Sequence, residues 1–324
     1  MAVYSGAPYW AGDSRVPFAL LQSTLDPPVL DYLQRQVGSS LGAQLLHNAR
    51  SAGRVPGHTS HQLFLHGLPS PSEVHTPGGP LPERRAAAPP ALRALLECLR
   101  RTLAPRLAAS LASADDDFSR LVRAMLAAGG LFADVDVQFH AGAHVPPAEA
   151  YWHVDMPNSF AHLGISLFGS RTLHAKCGRR CNVSATEQRA GRVYLSSPAA
   201  FEHGVEYPRH AGGSLGRSIV AVQARLLVRG DNVSSRRLIA ACGKGTMESR
   251  GAVDAFARLA AALDRGPPLA LPSLAELRAV ERSLLPMAPP SRRSRSRAQT
   301  LTRRQPPQAE AAPNSKWMAW WPFG

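Results

Sequence analysis

The sequence predicts an α+β chain in which a β block of sandwich or barrel type, residues 131–230, stands between helical regions. Two observations carry this. Between 90 and 130 the apolar residues keep a helical period, with Leu92, Leu95, Leu96 and Leu99 at i, i+3, i+4 and i+7. From 131 the pattern changes to short runs rich in Val, Ile, Leu and Phe: VDVQFH, HLGISLFG, RTLHA, GRVYLSS and RSIVAVQARLLV. Gly, Pro and Asn separate them.

Residues 1–89 read as an N-terminal extension of mixed short elements. VPFALLQ (16–22) suits a short buried strand or a helix start. Asp26-Pro27-Pro28 then opens an amphipathic helix, VLDYLQRQVG. Residues 50–60 are loop-like, HQLFLHGL (61–68) is a strand, and the Pro- and Gly-rich stretch 69–90 is a linker. Residues 90–130 form a helical support. Pro105 is expected to break or kink its first helix. Ser113, or Asp115 to Asp117, caps the second, FSRLVRAMLAA, and Gly129-Gly130 stops it. Two further helices, VDAFARLAAALDRG and SLAELRAVERSLL, account for 231–285. The tail 286–324 has no apolar period and is expected to be disordered.

The 324 residues carry a net charge of +14, from 37 basic and 23 acidic side chains. The tail contributes Arg292, Arg293, Arg295, Arg297, Arg303, Arg304 and Lys316 against Glu310 alone, and ends in Trp317, Trp320, Trp321 and Phe323. A basic, aromatic tail suits a polyanion, either nucleic acid or an anionic membrane surface. Hydrophobic residues make up 44%, enough for a sizeable core. No run reaches the ~18 apolar residues of a membrane helix, and no signal peptide is evident, so the expected location is cytoplasmic or nuclear, with an organelle still open. Four cysteines make no disulfide framework. Cys177 and Cys181 read as loop thiols, and the Asn182-Val-Ser184 and Asn232-Val-Ser234 sequons as chance matches.

Chemistry concentrates in the β block. In Tyr151-Trp152-His153-Val154-Asp155 the histidine and carboxylate are two apart, so on a strand both face one side. His203, in FEHGVEYP, lies 50 residues beyond His153, enough for the chain to return beside it. Two His and one carboxylate on one face of a metal form the facial triad of non-haem Fe(II) oxygenases. Arg217 heads the last strand, and a co-substrate carboxylate needs such a rigid, always-charged partner. His140 and His144 flank a Gly- and Pro-containing segment and read as loop residues. His162 and His174 read as strand residues rather than ligands.

Residues 131–229 resemble the double-stranded β-helix (jelly-roll) core of the 2-oxoglutarate/Fe(II)-dependent dioxygenase superfamily. The matching pieces, in order, are VDVQFHAG, the H-V-D triplet, HLGISLFGSRTLHA, G-R-V-Y-L-S-S-P, F-E-H-G-V and R-S-I-V-A-V-Q-A-R. The resemblance implies iron on His153, Asp155 and His203, with no other catalytic residue. It implies a 2-oxoglutarate anchor at Arg217, with Arg225 and Arg171 as alternatives. Gln138 would bond the co-substrate, and Tyr151 and Asn158 would line the substrate pocket. The implied cofactors are Fe(II), 2-oxoglutarate and O2. The implied reaction is hydroxylation of a protein side chain or small molecule with release of succinate and CO2. Two alternatives are an oxidative demethylase of nucleic-acid bases and a non-enzymatic jelly-roll binding module. The segment AHVPPAEAYW departs from the family pattern by its length and its two prolines.

Overall fold

The computed structural model describes residues 18–52, 61–68, 86–112, 114–127, 131–132, 134–140, 152–153, 155, 161–177, 182–208, 219–225, 256–261, 263 and 267–284. All lie within one compact unit, Tyr9–Leu285. The expected tail, Gly129-Gly130, Cys181 and most of the 69–90 linker lie outside the described residues.

Strands β1 (Ala19–Thr24), β2 (His61–His66), β3 (Asp134–His140), β4 (His162–Phe168), β5 (Ser170–Cys177), β6 (Asn182–Arg189), β7 (Arg192–Ser196), β8 (His203–Glu206) and β9 (Ile219–Arg225) make two antiparallel sheets. The larger has the order β1-β7-β4-β9-β3-β2 and the smaller β6-β5-β8. The helices are α1 (Pro27–Ala52), α2 (Pro90–Leu111), α3 (Asp117–Ala127) and α4 (Leu274–Leu284), and residues 256–261 are also helical.

The register of the large sheet separates its two faces. Leu163, Ile165, Leu195, Val222 and Val137 share the outer face and are fully buried. Helix α1 packs against β2, β3 and β4, and α2 packs against α1 and α4, so this apolar face meets the helices. The opposite face carries His162, Gly164, Ser166, Tyr194, Gln223, Arg225, Asp136 and Gln138 at the alternate positions. It looks toward the small sheet, because Arg171 of β5 reaches across to Gln138 and Tyr194. The hydrophobic core thus lies between the large sheet and the helices, and a polar interior lies between the sheets.

Two local expectations change and one alternative is settled. Helix α2 runs unbroken through Pro105. The proline removes one main-chain bond, but Leu99, Leu103, Leu107 and Leu111 are all buried along one side, and that burial holds the helix together. Helix α1 continues to Ala52, beyond the expected loop start. VPFALLQ resolves to the strand β1, which pairs with β7. Strand β6 (NVSATEQR) has no apolar pattern and was not expected; it forms because β5 pairs with it along eight consecutive positions. The hairpin to β7 closes through Gly191 at φ 89°, a conformation that favours glycine. Among the described residues, no helix is long and apolar enough to cross a membrane.

Candidate metal centre

His153, Asp155 and His203 converge: one potential ligand atom from each lies within 4.8 Å of the others. Main-chain pairing places them. His153 and His203 exchange two hydrogen bonds, N–H to carbonyl, of 3.0 and 2.9 Å, as an isolated antiparallel bridge. The His153 segment therefore lies beside β8. Asp155 N–H then bonds the Pro198 carbonyl at 2.9 Å. The rings of His153 and His203 are 4.3 Å apart, and His153 Nε2 is 3.5 Å from Asp155 Oδ1.

The triad is asymmetric in exposure. The His153 side chain is 48% exposed and that of Asp155 28%, whereas His203 is buried at 8%. His203 Nδ1 lies 3.1 Å from the Phe201 carbonyl, which can only accept, so Nδ1 carries the proton and Nε2 keeps its lone pair for a metal. The ring stacks on Phe18 at 5.7 Å, which fixes its plane. Burial, aided by repulsion from His153, pushes the His203 imidazole down to about 4. Burial would raise the Asp155 carboxyl, but attraction from His203, His162, His153 and Arg225 outweighs it and holds the group below its ordinary value. Near neutral pH the carboxylate is ionised and the buried imidazole neutral, the states in which both bind metal.

Deeper between the sheets lies Arg171, 1% exposed. Its Nη1 donates to Gln138 Oε1 at 2.5 Å and its Nη2 to the Tyr194 hydroxyl at 3.1 Å. No carboxylate among the described residues forms an ion pair with it, and its Nε has no partner there. Among the described residues, Gln188, directly opposite Arg171 on β6, has neither side-chain oxygen nor nitrogen paired, and the Ser166 hydroxyl is likewise unpaired. Asp136, on the same inner face, is pushed up to about 7 by burial, against the pull of Arg225, Gln138 and Arg171.

Of the remaining candidates, Arg225 ends β9 on the inner face, opposite His162. Gln138 is on that face, bonded to Arg171. Arg217, Tyr151 and Asn158 lie outside the described residues, as does His144. His174 pairs with Glu206 at 2.9 Å on the other face of the small sheet. Sequence reasoning passed over Tyr194, Gln188, Ser166 and Asp136, and set His162 aside. The available signal was the alternation in Asp136-x-Gln138, His162-x-Gly164-x-Ser166 and Gln223-x-Arg225, in which the polar residues take one face of the sheet.

No family model matches the chain, and no curated protein matches it. Among solved structures it is similar to a "putative oxygenase" from Shewanella oneidensis, at 11% identity and a TM-score of 0.38, over 68% of this chain and 87% of the other. It is also similar to the rice dioxygenase for auxin oxidation, at 12% identity and a TM-score of 0.33, over 64% and 71%. Likenesses this slight carry no functional argument.

Proposed function

We propose that the chain is an Fe(II)-dependent oxygenase that uses 2-oxoglutarate and O2 to hydroxylate a protein side chain or small molecule, releasing succinate and CO2. The observation that carries the reading is the convergence of His153, Asp155 and His203 within 4.8 Å at the open edge of a polar, two-sheeted interior. The donor set fits iron: two imidazoles and one carboxylate, of which His153 and Asp155 are partly exposed. The strand order also supports a double-stranded β-helix. The run β7-β4-β9-β3 faces β6-β5-β8 and the His153 segment beside it.

Iron, when bound, supplies the activation of O2. The chain's residues do the rest. His203 is locked by Phe201 and Phe18, so its Nε2 is presented without reorientation. Arg171 is the proposed anchor for the distal carboxylate of 2-oxoglutarate. A buried guanidinium held only by neutral partners is costly, and an entering carboxylate offsets that cost. Gln188 and Ser166 offer further hydrogen bonds from the same pocket. The helices behind the large sheet keep water from its outer face, and the polar inner face orients what enters.

The test is succinate release by the Fe(II)-loaded chain, screened against peptide, nucleic-acid and metabolite pools. The expected result is release that depends on 2-oxoglutarate and is lost in Asp155→Ala. Absence of iron binding at the triad would overturn the reading.

A further inference from the structure

The interior contains a directed chain of hydrogen bonds that ends beside the candidate metal centre. Arg171 is always a donor, so the Gln138 atom facing its Nη1 at 2.5 Å must be the amide oxygen. Gln223 approaches that same oxygen at 3.2 Å and must do so with its nitrogen. The oxygen of Gln223 therefore faces His162 Nδ1, 2.9 Å away, and can only accept. His162 Nδ1 must then carry the ring proton. Each step follows from the one before, starting from a group that cannot accept.

The other nitrogen, His162 Nε2, is left with a lone pair. It is buried, in a residue 5% exposed, and has no partner among the described residues. His162 begins β4 on the inner face, level with Ser196 and Arg225. Asp155 bonds the main chain at Pro198, two residues past Ser196, the cross-strand partner of His162. A buried, unmet acceptor is costly, so the site selects for a donor.

We propose that His162 is a specificity-determining residue whose Nε2 accepts a hydrogen bond from an N–H or O–H group of the primary substrate, its tautomer being set by the Arg171–Gln138–Gln223 chain. The proposal rests on the oxygenase reading for its substrate, but not for its tautomer. It favours substrates with an amide or hydroxyl beside the reacting carbon over purely hydrocarbon ones. The same donor could come instead from a metal-bound water, and the experiment separates the two.

The measurement is 15N NMR of the histidine rings in the full chain, first without metal and then loaded with Zn(II) as a diamagnetic metal. Acetamide, which has N–H donors, and N,N-dimethylacetamide, which has none, serve as probes. The expected result is an Nδ1–H tautomer for His162 in both forms. Its bare Nε2 signal should move upfield with acetamide and stay in place with dimethylacetamide. Gln223→Leu should release the tautomer preference while leaving Zn(II) affinity unchanged. An Nε2–H tautomer in the parent chain would overturn the proposal. So would an equal response to the two amides, or an upfield shift on Zn(II) loading alone, which assigns the donor to metal-bound water. Loss of Zn(II) binding with the Nδ1–H tautomer and the acetamide response retained would count against the oxygenase reading and leave the acceptor role of His162 standing.

Discussion

Replacing Gly164 by alanine should damage both stability and the Arg171 pocket. Gly164 and Tyr194 are cross-strand partners on the inner face of β4 and β7. A Cβ built on Gly164 falls 2.3 Å from Tyr194 Cζ, 2.6 Å from its hydroxyl oxygen and 2.7 Å from Cε1. The ring cannot yield easily, because Tyr194 is fully buried and bonded to Arg171 Nη2. Overpacking of this kind costs about 1–3 kcal/mol. Pulling the hydroxyl from a charged donor adds roughly 1.5–3 kcal/mol if the bond is lost. A total near 3 kcal/mol lowers the melting temperature by roughly 6–12 °C in a domain of this size. Calorimetric unfolding of the metal-free chain measures the first effect, and anaerobic titration of 2-oxoglutarate into the Fe(II)-loaded chain the second. The clash should vanish when Tyr194 is also alanine, so the double variant should melt no lower than Tyr194→Ala alone. A Gly164→Ala variant that melts within a degree of the parent would refute the packing argument.

Asp155→Ala or His203→Ala should abolish tight Fe(II) binding, read by anaerobic titration, because either change leaves only two ligands. Arg171→Gln should raise the 2-oxoglutarate requirement at least tenfold with metal affinity intact; if Arg217→Ala does this and Arg171→Gln does not, the anchor lies on β9's approach instead. Metal-free protein should lose stability as pH falls from 6.5 toward 4, since His162 and His203, both held near 4, are protonated more readily unfolded than folded. Asp136, raised to about 7, acts in the opposite sense: its contribution is present at low pH and is lost as pH rises through 7. Asp136→Asn should therefore make the acid loss steeper and stabilise the protein at pH 8, as followed by denaturant midpoints across pH. Deleting residues 286–324 should leave folding and core turnover unchanged and weaken binding to anionic vesicles or single-stranded nucleic acid.

The triad was legible because its logic is local. His153 and Asp155 are two residues apart, and His203 follows a recognisable strand and turn. The α+β class was equally legible from the change in apolar period near residue 131. What the sequence concealed depended on which face of each strand looks inward. Arg171 reads as one arginine among many until β5 is seen to face Gln138 and Tyr194 across the interior. His162 does sit in a strand, as expected, but its significance comes from Gln223, 61 residues away. Strand β6 escaped notice because NVSATEQR has no apolar alternation. Its pairing with β5 is main-chain chemistry, which a polar sequence serves as well as an apolar one.

The large sheet inverts the common arrangement of a half-buried sheet, and this bears on function. Its apolar residues face the helices, and its polar residues face the other sheet. Among the described residues, the buried polar side-chain atoms without a partner on the inward faces of the two sheets are Asp136 Oδ1, His162 Nε2, Ser166 Oγ, Arg171 Nε and both amide atoms of Gln188, six in all. Left unmet, each costs about 1–3 kcal/mol. Together they would cost on the order of 10 kcal/mol, comparable with the whole stability of a typical domain, about 5–15 kcal/mol. A jelly-roll serving only as a scaffold would be more stable with leucine and valine at these positions. A ligand bringing complementary groups into the interior would offset that cost. The set contains one obligate cation, one forced acceptor, one carboxyl group held up to about 7, and amide and hydroxyl groups able to do either. That composition suits a carboxylate bound deep in the pocket and a hydrogen-bonding substrate near the triad better than it suits a hydrocarbon ligand.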